Sequence, residues 1–106
     1  RYRLKTREEG GVVLTNIDAG ESLLIKGVDF GTKGARQFSA SVLASVAAGM
    51  EVHLDSPDGP LCGTLEIKPG KDWTTRKCSL KGARGVHDLY FVFTGGSFDW
   101  RWGEMK

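Results

Sequence analysis

The sequence predicts an all-β fold, a β-sandwich jelly roll built from two antiparallel sheets. A chain of 106 residues, of which 40% are hydrophobic, has the size of one domain with a small core. Apolar and polar residues alternate along several segments with the period of two that β-strands have. Turns rich in Gly, Pro and Asp separate these segments at roughly ten-residue intervals, which is typical of sandwiches and jelly rolls.

The first half of the chain contains predicted strands bounded by Gly and Asp. They cover residues 11–17, 22–30 and 37–46. In the third of these, every second residue from Phe38 to Ala44 is apolar and the positions between them are mostly serine, so one face is predicted to lie in the core. A helix is the alternative for residues 41–49, but the serines and the Gly-Met pair that follows favour a strand.

A hairpin is predicted over residues 50–67, with its turn at SPDGP. Pro and Gly supply the fixed and the permissive φ angles that such a turn needs. The first strand of the hairpin alternates cleanly between an apolar and a polar face. The apolar face consists of Met50, Val52 and Leu54, and the polar face consists of Glu51, His53 and Asp55.

Further strands are predicted after the hairpin, separated by turns and by the loop KGARG. They cover residues 73–80, 86–93 and 97–102. The second is the most apolar and is expected at the centre of a sheet, and its rings Tyr90, Phe91 and Phe93 are predicted to lie mostly in the core. The last strand, SFDWRW, is expected to close the core with Phe98 and Trp100. In a regular strand Trp102 projects to the same side as these two rings, so we place Trp102 in the core rather than in solvent.

Composition disfavours several functional classes. The net charge is +2, with acids and bases mixed along the chain, and this predicts no nucleic-acid partner, because such a partner requires a clustered basic face. No apolar run approaches membrane length and no secretory signal is present, so no membrane association is predicted. Cys62 and Cys78 could pair, but thiols are preferred because CxxC spacing is absent. No P-loop, dinucleotide fingerprint or G-x-S-x-G elbow occurs, which disfavours an enzyme.

The candidate functional side chains lie on a strand and at a loop edge. His53 shares the polar face of its strand with Glu51 and Asp55. Such groups could hold a metal or perform acid–base chemistry, but a ligand-contacting sheet face is preferred because nothing fixes a third metal ligand. Trp73 begins a strand directly after a loop. There, an indole ring can stack on a ring-shaped ligand or, equally well, cap the end of the core.

Several motifs together carry a family resemblance. They are I-D-x-G-[DE] and V-D-F-G in residues 17–31, L-D-S-x-x-G-x-L-x-G-T in residues 50–67, G-V-H-D-L-Y in residues 74–96, and F-D-W at residues 98–100. In order and spacing they resemble family 6 carbohydrate-binding modules, most of all those attached to xylan-degrading hydrolases of the family 43 kind. The resemblance covers about residues 12 to 102. It implies one β-sandwich module over residues 1–106 that binds polysaccharide and is not an enzyme.

The resemblance implies two possible places for the sugar. At the loop edge, where the family clamps a sugar between two rings, Trp73 matches one ring or a second, strand-start aromatic. The other ring has no counterpart before Ile17, Ser97 takes the position of an Asn, and the loop at residues 95–97 is short. On the concave sheet face, Glu51 and His53 fall where the family places polar contacts, with His replacing the more usual Arg.

The resemblance also suggests a structural Ca²⁺, for which Asp99 matches the closing ligand. The usual N-terminal strand with its pair of Glu has no counterpart in RYRLKT, so this strand is expected to be atypical or truncated. One carboxylate cannot supply the six to eight oxygens that Ca²⁺ takes.

The implied ligand is a plant cell-wall β-polysaccharide, with xylan or arabinoxylan first and β-glucan or cellulose second. The implied partner is a catalytic glycoside hydrolase domain in the same parent chain, and the implied location is secreted, extracellular or periplasmic. One alternative is a structural accessory domain that packs on its catalytic partner and has lost sugar binding. Another is a small hydrolase that uses Glu51 with a second carboxylate.

Overall fold

The computed structural model describes residues 2–4, 14–17 and 19–106, with side chains described from residue 19 onward. This part of the chain folds into nine strands. They are β1 (Tyr2–Leu4), β2 (Leu14–Ile17), β3 (Ser22–Asp29), β4 (Ala35–Leu43), β5 (Ala48–Leu54), β6 (Leu61–Ile67), β7 (Thr74–Ala83), β8 (Val86–Gly95) and β9 (Phe98–Met105). Among the described residues, no helix has the length and apolar character needed to span a bilayer.

The strands form two antiparallel sheets. One has five strands in the order β1-β9-β4-β7, with β2 also paired to β9, and the other has four in the order β3-β8-β5-β6. The predicted all-β sandwich is therefore confirmed. The most apolar predicted strand, β8, lies between β3 and β5, at the interior position expected for it.

The core lies between the two sheets and is dominated by aromatic rings. Phe91 from the four-stranded sheet contacts Phe38 and Trp100 from the five-stranded sheet, with ring centroids 5.3 and 4.9 Å apart. Phe93 packs edge-to-face on Phe98 at 5.7 Å. All of these side chains are buried. Because edge-to-face ring pairs are favourable beyond the apolar area they bury, these contacts stabilise the packing of one sheet on the other.

Several predicted strand boundaries are wrong; β9, for example, continues to Met105 instead of ending at residue 102. The strand predicted over residues 37–46 ends at Leu43, since its partner strands end there and the Ala44 carbonyl accepts a hydrogen bond from the Gly70 amide instead. Residues 44–47 are neither strand nor helix. The strand predicted to end at residue 80 continues to Ala83 because Ala83 pairs with Ala35. Of the strand predicted over residues 11–17, residues 11–13 lie outside the described part of the chain.

The placement of Trp102 in the core is also wrong. In the pairing of β4 with β9, Val42 faces Trp100 and Ser41 faces Trp102, so Arg101 is an extra residue that forms a bulge. A bulge reverses the alternation of side chains beyond it. Trp100 is therefore buried in the core, whereas Trp102 is half-buried on the outer face of the five-stranded sheet. The thiols preferred for Cys62 and Cys78 are both free.

Candidate functional site

The outer face of the four-stranded sheet carries Glu51 and His53. The alternation predicted for this strand is confirmed, because Met50, Val52 and Leu54 are buried in the core and the residues between them point outward. Across the sheet Glu51 lies between Thr64 and Val92, and His53 lies between Leu61 and Tyr90. The fold thus brings together Glu51 and His53 on one polar surface. Asp55, predicted on the same face, lies beyond the end of β5 with a positive φ of 70°, and its Oδ2 lies 2.9 Å from His87 Nδ1.

Glu51 and His53 form a hydrogen-bonded pair. His53 Nε2 lies 2.9 Å from Glu51 Oε1, and His53 Nδ1 lies 2.8 Å from the carbonyl oxygen of Gly59. Both partners accept hydrogen bonds, so both are satisfied at once only by the imidazolium form, which donates from each nitrogen. The His53 side chain is 11% exposed and the Glu51 side chain 36% exposed.

The surroundings of His53 favour its charged form. Burial by itself lowers the pKa of the imidazole, but the hydrogen bonds to Glu51 and to the Gly59 carbonyl, together with the charges of Glu51 and Asp58, outweigh it. The pKa of His53 is therefore raised above its ordinary value. A protonated His53 fixes the orientation of the Glu51 carboxylate on the sheet surface.

Tyr90 is a member of this surface that sequence reasoning missed. The prediction that Tyr90 lies mostly in the core is wrong, because its side chain is half-buried and points outward next to His53. Strand parity could have revealed it, because Leu89 and Phe91 on either side of it are in the core. The same row across the sheet carries Leu24 and Leu61, which are 38% and 54% exposed. This row gives the surface apolar area beside its charged pair.

A second candidate region is a cavity at one end of the sandwich. It has a volume of about 420 Å³ and lies between the C-terminal end of β4, the loop before β7 and the start of β9. Ser97 and Asp99 both line it, together with Ser45 and Gly70. The two residues predicted from the end of the chain are thus brought together, at the loop edge where the resemblance placed a sugar site.

Trp73 stands beside this end of the sandwich but outside the core. Its ring is half-buried, and the guanidinium carbon of Arg101 lies 4.7 Å from the ring centroid. Arg101 Nε also donates a hydrogen bond of 3.0 Å to Ser41 Oγ. A cation above an indole face is attracted by the ring's electron density. Arg101 was not recognised from the sequence, because its contact with Trp73 depends on β9 and β7 lying on either side of β4.

The described residues give limited support for a metal site. No group of three or more His, Cys, Asp or Glu side chains suited to a metal ion occurs within the part of the chain that the structure describes. Asp99 supplies one carboxylate to the loop-edge cavity, and Ca²⁺ needs several more oxygens. The calcium ion suggested for Asp99 stays a prediction.

Comparison with known proteins identifies the family. The model of the carbohydrate binding module (family 6) matches residues 2–104. The chain belongs to this family. Family 6 modules are non-catalytic binding domains with this β-sandwich fold, so the predicted family, fold and lack of an enzymatic role are confirmed for this family 6 module.

The relatives connect the family 6 module with xylan-degrading enzymes. It is 39% identical over 98 residues to the arabinoxylan arabinofuranohydrolase of Bacillus subtilis (strain 168), a match that covers 86% of this chain and 19% of that enzyme. A similar enzyme of Paenibacillus polymyxa is 37% identical, with 15% of its length covered. The family 6 module therefore spans less than a fifth of the length of these curated relatives.

Solved structures agree with the fold in detail. A glycoside hydrolase family 43 arabinoxylan arabinofuranohydrolase from Bacillus subtilis, in complex with cellotetraose, matches with a TM-score of 0.85 and 35% identity over 89% of this chain and 21% of that chain. A family 6 module from Clostridium cellulolyticum, in complex with xylose, matches with a TM-score of 0.83 and 30% identity over 99% of this chain and 85% of that chain.

Proposed function

We propose that this family 6 module binds plant cell-wall β-polysaccharide, with xylan or arabinoxylan first and β-glucan or cellulose second. The observation that carries the proposal is the charged Glu51–His53 pair beside the outward ring of Tyr90. The similar module from Clostridium cellulolyticum holds xylose, and the similar enzyme from Bacillus subtilis holds cellotetraose. These ligands support β-linked pentose or glucose polymers as the ligand class.

The Glu51–His53 surface offers the groups that a sugar chain needs. A pyranose ring has an apolar face, which stacks on an aromatic ring, and hydroxyl groups at its edge, which seek acceptors and donors. In the proposal, Tyr90 receives the sugar face and the Glu51 carboxylate accepts from a hydroxyl. Both nitrogens of His53 are already engaged by Glu51 and Gly59, so His53 acts by holding the carboxylate in place.

The loop-edge cavity is proposed as a second contact region. Ser97 and Asp99 line it with polar oxygens, and Trp73 stands close by with Arg101 against one face of its ring. Trp73 stacks on a sugar through the face that Arg101 leaves open, and Ser97 and Asp99 bond its hydroxyls. Because Arg101 occupies one side of the indole, this region lacks the second ring of a clamp and binds more weakly than a complete clamp does.

The proposed role in the parent protein is to hold an attached glycoside hydrolase near its substrate. Shallow, hydrated sugar sites must displace ordered water and gain little buried area, so binding of a single chain is weak to moderate. Tethering still raises the effective concentration of the catalytic domain at a polymer surface. The curated relatives support this arrangement, because the matching region makes up a small part of each hydrolase.

A calorimetric titration tests the proposal and distinguishes the two regions. The module is titrated with xylo-oligosaccharides and cello-oligosaccharides, and the titration is repeated with Glu51→Gln and Trp73→Ala. Each variant is the control for the other, because Glu51 lies on the four-stranded sheet and Trp73 directly precedes β7 of the five-stranded sheet. Loss of binding in Glu51→Gln locates the ligand on the four-stranded sheet. Unchanged binding in both variants would contradict both site assignments.

A structural accessory role is the second candidate. One observation favours it. Only Gly96 and Ser97 connect β8 to β9, and the Gly96 amide donates a backbone hydrogen bond to the Ala47 carbonyl. This short, fixed connection makes the loop-edge cavity shallow on that side. Affinity electrophoresis in soluble xylan and β-glucan separates the candidates. Retarded migration in either gel supports sugar binding, and migration unchanged in every glycan supports the structural role.

A further inference from the structure

A basic cavity lies at the end of the sandwich opposite Ser97 and Asp99. Its volume is about 300 Å³, and its lining includes Lys33, Arg36, Lys81 and Arg84. It is formed where β4 begins and β7 ends, whereas the loop-edge cavity lies where β4 ends. The nine residues of β4 separate the two ends by roughly 25 to 30 Å. The basic cavity is thus a separate place on the molecule.

The cavity combines a rigid frame with a cluster of four positive charges. Gly85 donates to the Gly31 carbonyl at 3.0 Å and Phe30 donates to the Gly85 carbonyl at 2.9 Å, which ties the two loops of this end together. Gly34 has a positive φ of 76° and packs so closely on the Ala83 carbonyl that no side chain fits there. The loops that carry Lys33 and Arg84 and the strand ends that carry Arg36 and Lys81 are therefore held in place by backbone contacts.

No acidic side chain lines this cavity, and within the described part of the chain none of its four cations forms an ion pair or a side-chain hydrogen bond. Asp29, the nearby carboxylate on β3, accepts from the Gly31 amide and is not part of the lining. The whole chain has a net charge of only +2, so the four cations concentrate positive charge here. Like charges gathered around a concave surface repel one another and attract an anion.

We propose that this cavity binds the carboxylate of a uronic acid, such as a glucuronic acid substituent on a xylan chain. Guanidinium groups match a planar carboxylate with two parallel hydrogen bonds, and the flanking ammonium groups add charge. The volume suits one sugar residue. A nucleic acid is disfavoured because its backbone requires a basic stripe, whereas these cations surround a single cavity. The choice of a xylan substituent rests on the proposed polysaccharide binding, while recognition of the carboxylate does not.

Calorimetry with matched ligands and variants tests this inference. The ligands are a xylo-oligosaccharide carrying one glucuronic acid, the unsubstituted oligosaccharide of the same length, sodium glucuronate alone and sodium sulfate. The test variant is Arg36→Gln/Arg84→Gln. The control is Lys68→Gln/Lys77→Gln, which removes the same charge from the flank of the sandwich, where both side chains are exposed.

The substituted oligosaccharide is expected to bind about fivefold or more tightly than the neutral one at low salt. This preference disappears in Arg36→Gln/Arg84→Gln, persists in the control and weakens at high salt. Equal affinity for both oligosaccharides, a preference that survives in the arginine variant, or sulfate binding as tight as glucuronate binding would overturn the inference. If no oligosaccharide binds but glucuronate does, and only the arginine variant loses it, the uronate site stands and the proposed polysaccharide function fails.

Discussion

Replacement of His53 by phenylalanine tests whether this histidine is charged in the folded protein. The change keeps a ring of similar size but removes both hydrogen bonds, one to Glu51 and one to the Gly59 carbonyl. Each such bond contributes about 0.5 to 1.5 kcal/mol. Because the Glu51 side chain is 36% exposed, solvent screening reduces the charged contribution. We expect a loss of about 1 to 2 kcal/mol at acidic pH, which corresponds to roughly 5 to 10 °C in Tm.

The pH dependence carries the decisive part of this prediction. The pKa of His53 is raised in the folded protein, so the folded state holds the proton more tightly than the unfolded state does. Its stabilisation is fully present below the unfolded pKa of about 6.5 and is lost as the pH rises through the higher folded value. The difference in unfolding free energy between wild type and His53→Phe is therefore expected to be larger at pH 5.5 than at pH 8.5.

Urea unfolding at acidic, neutral and basic pH measures this difference, with Glu51→Gln as the companion variant. Because Glu51 is the carboxylate that bonds His53 Nε2, its amide analogue should flatten the same pH dependence while keeping the ring and the Gly59 contact. A stability difference that stays constant from acidic to basic pH, or that grows at basic pH, would refute the reasoning that His53 is held as an imidazolium.

Three further predictions follow from packing. Phe91→Ala should lower the free energy of unfolding, measured with urea, by about 3 to 5 kcal/mol, because it removes a buried ring that packs 4.9 Å from the Trp100 ring. Phe91→Leu should lower it less, and equal losses in the two variants would contradict this. Gly59→Ala should lower the free energy of unfolding by about 1 to 3 kcal/mol, since the added Cβ would collide with the Leu54 carbonyl oxygen in the hairpin. An unchanged urea midpoint would contradict that close contact. Arg101→Ala should uncover the Trp73 ring and increase its quenching by acrylamide, and identical quenching would show that the stacking is absent in solution.

The sequence motifs indicated the family, and the alternation of apolar and polar residues indicated which residues of several strands face outward. Strand parity alone placed Glu51 and His53 outward, since the apolar residues that alternate with them in β5 had to face a core. The same argument applied to β8 would have found Tyr90, but an apolar strand was read as core on both faces. A sheet in this sandwich has one buried face, so every second residue of even its most apolar strand faces outward.

Local sequence by itself determined where strands and turns lie, because the two-residue period and the turn residues act over a few neighbouring positions. Only the tertiary structure decided which partners a strand meets. The bulge at Arg101 is visible only in the pairing of β9 with β4, and it moves Trp102 out of the core. The contact of Arg101 with Trp73 likewise depends on β9 and β7 both pairing with β4. Likewise, Arg36 and Arg84 are 48 positions apart in the sequence and border one cavity because β4 pairs with β7. Contacts between distant segments depend on which strands pair. A two-residue pattern specifies which face of a strand is buried, but it does not specify which strand lies beside it.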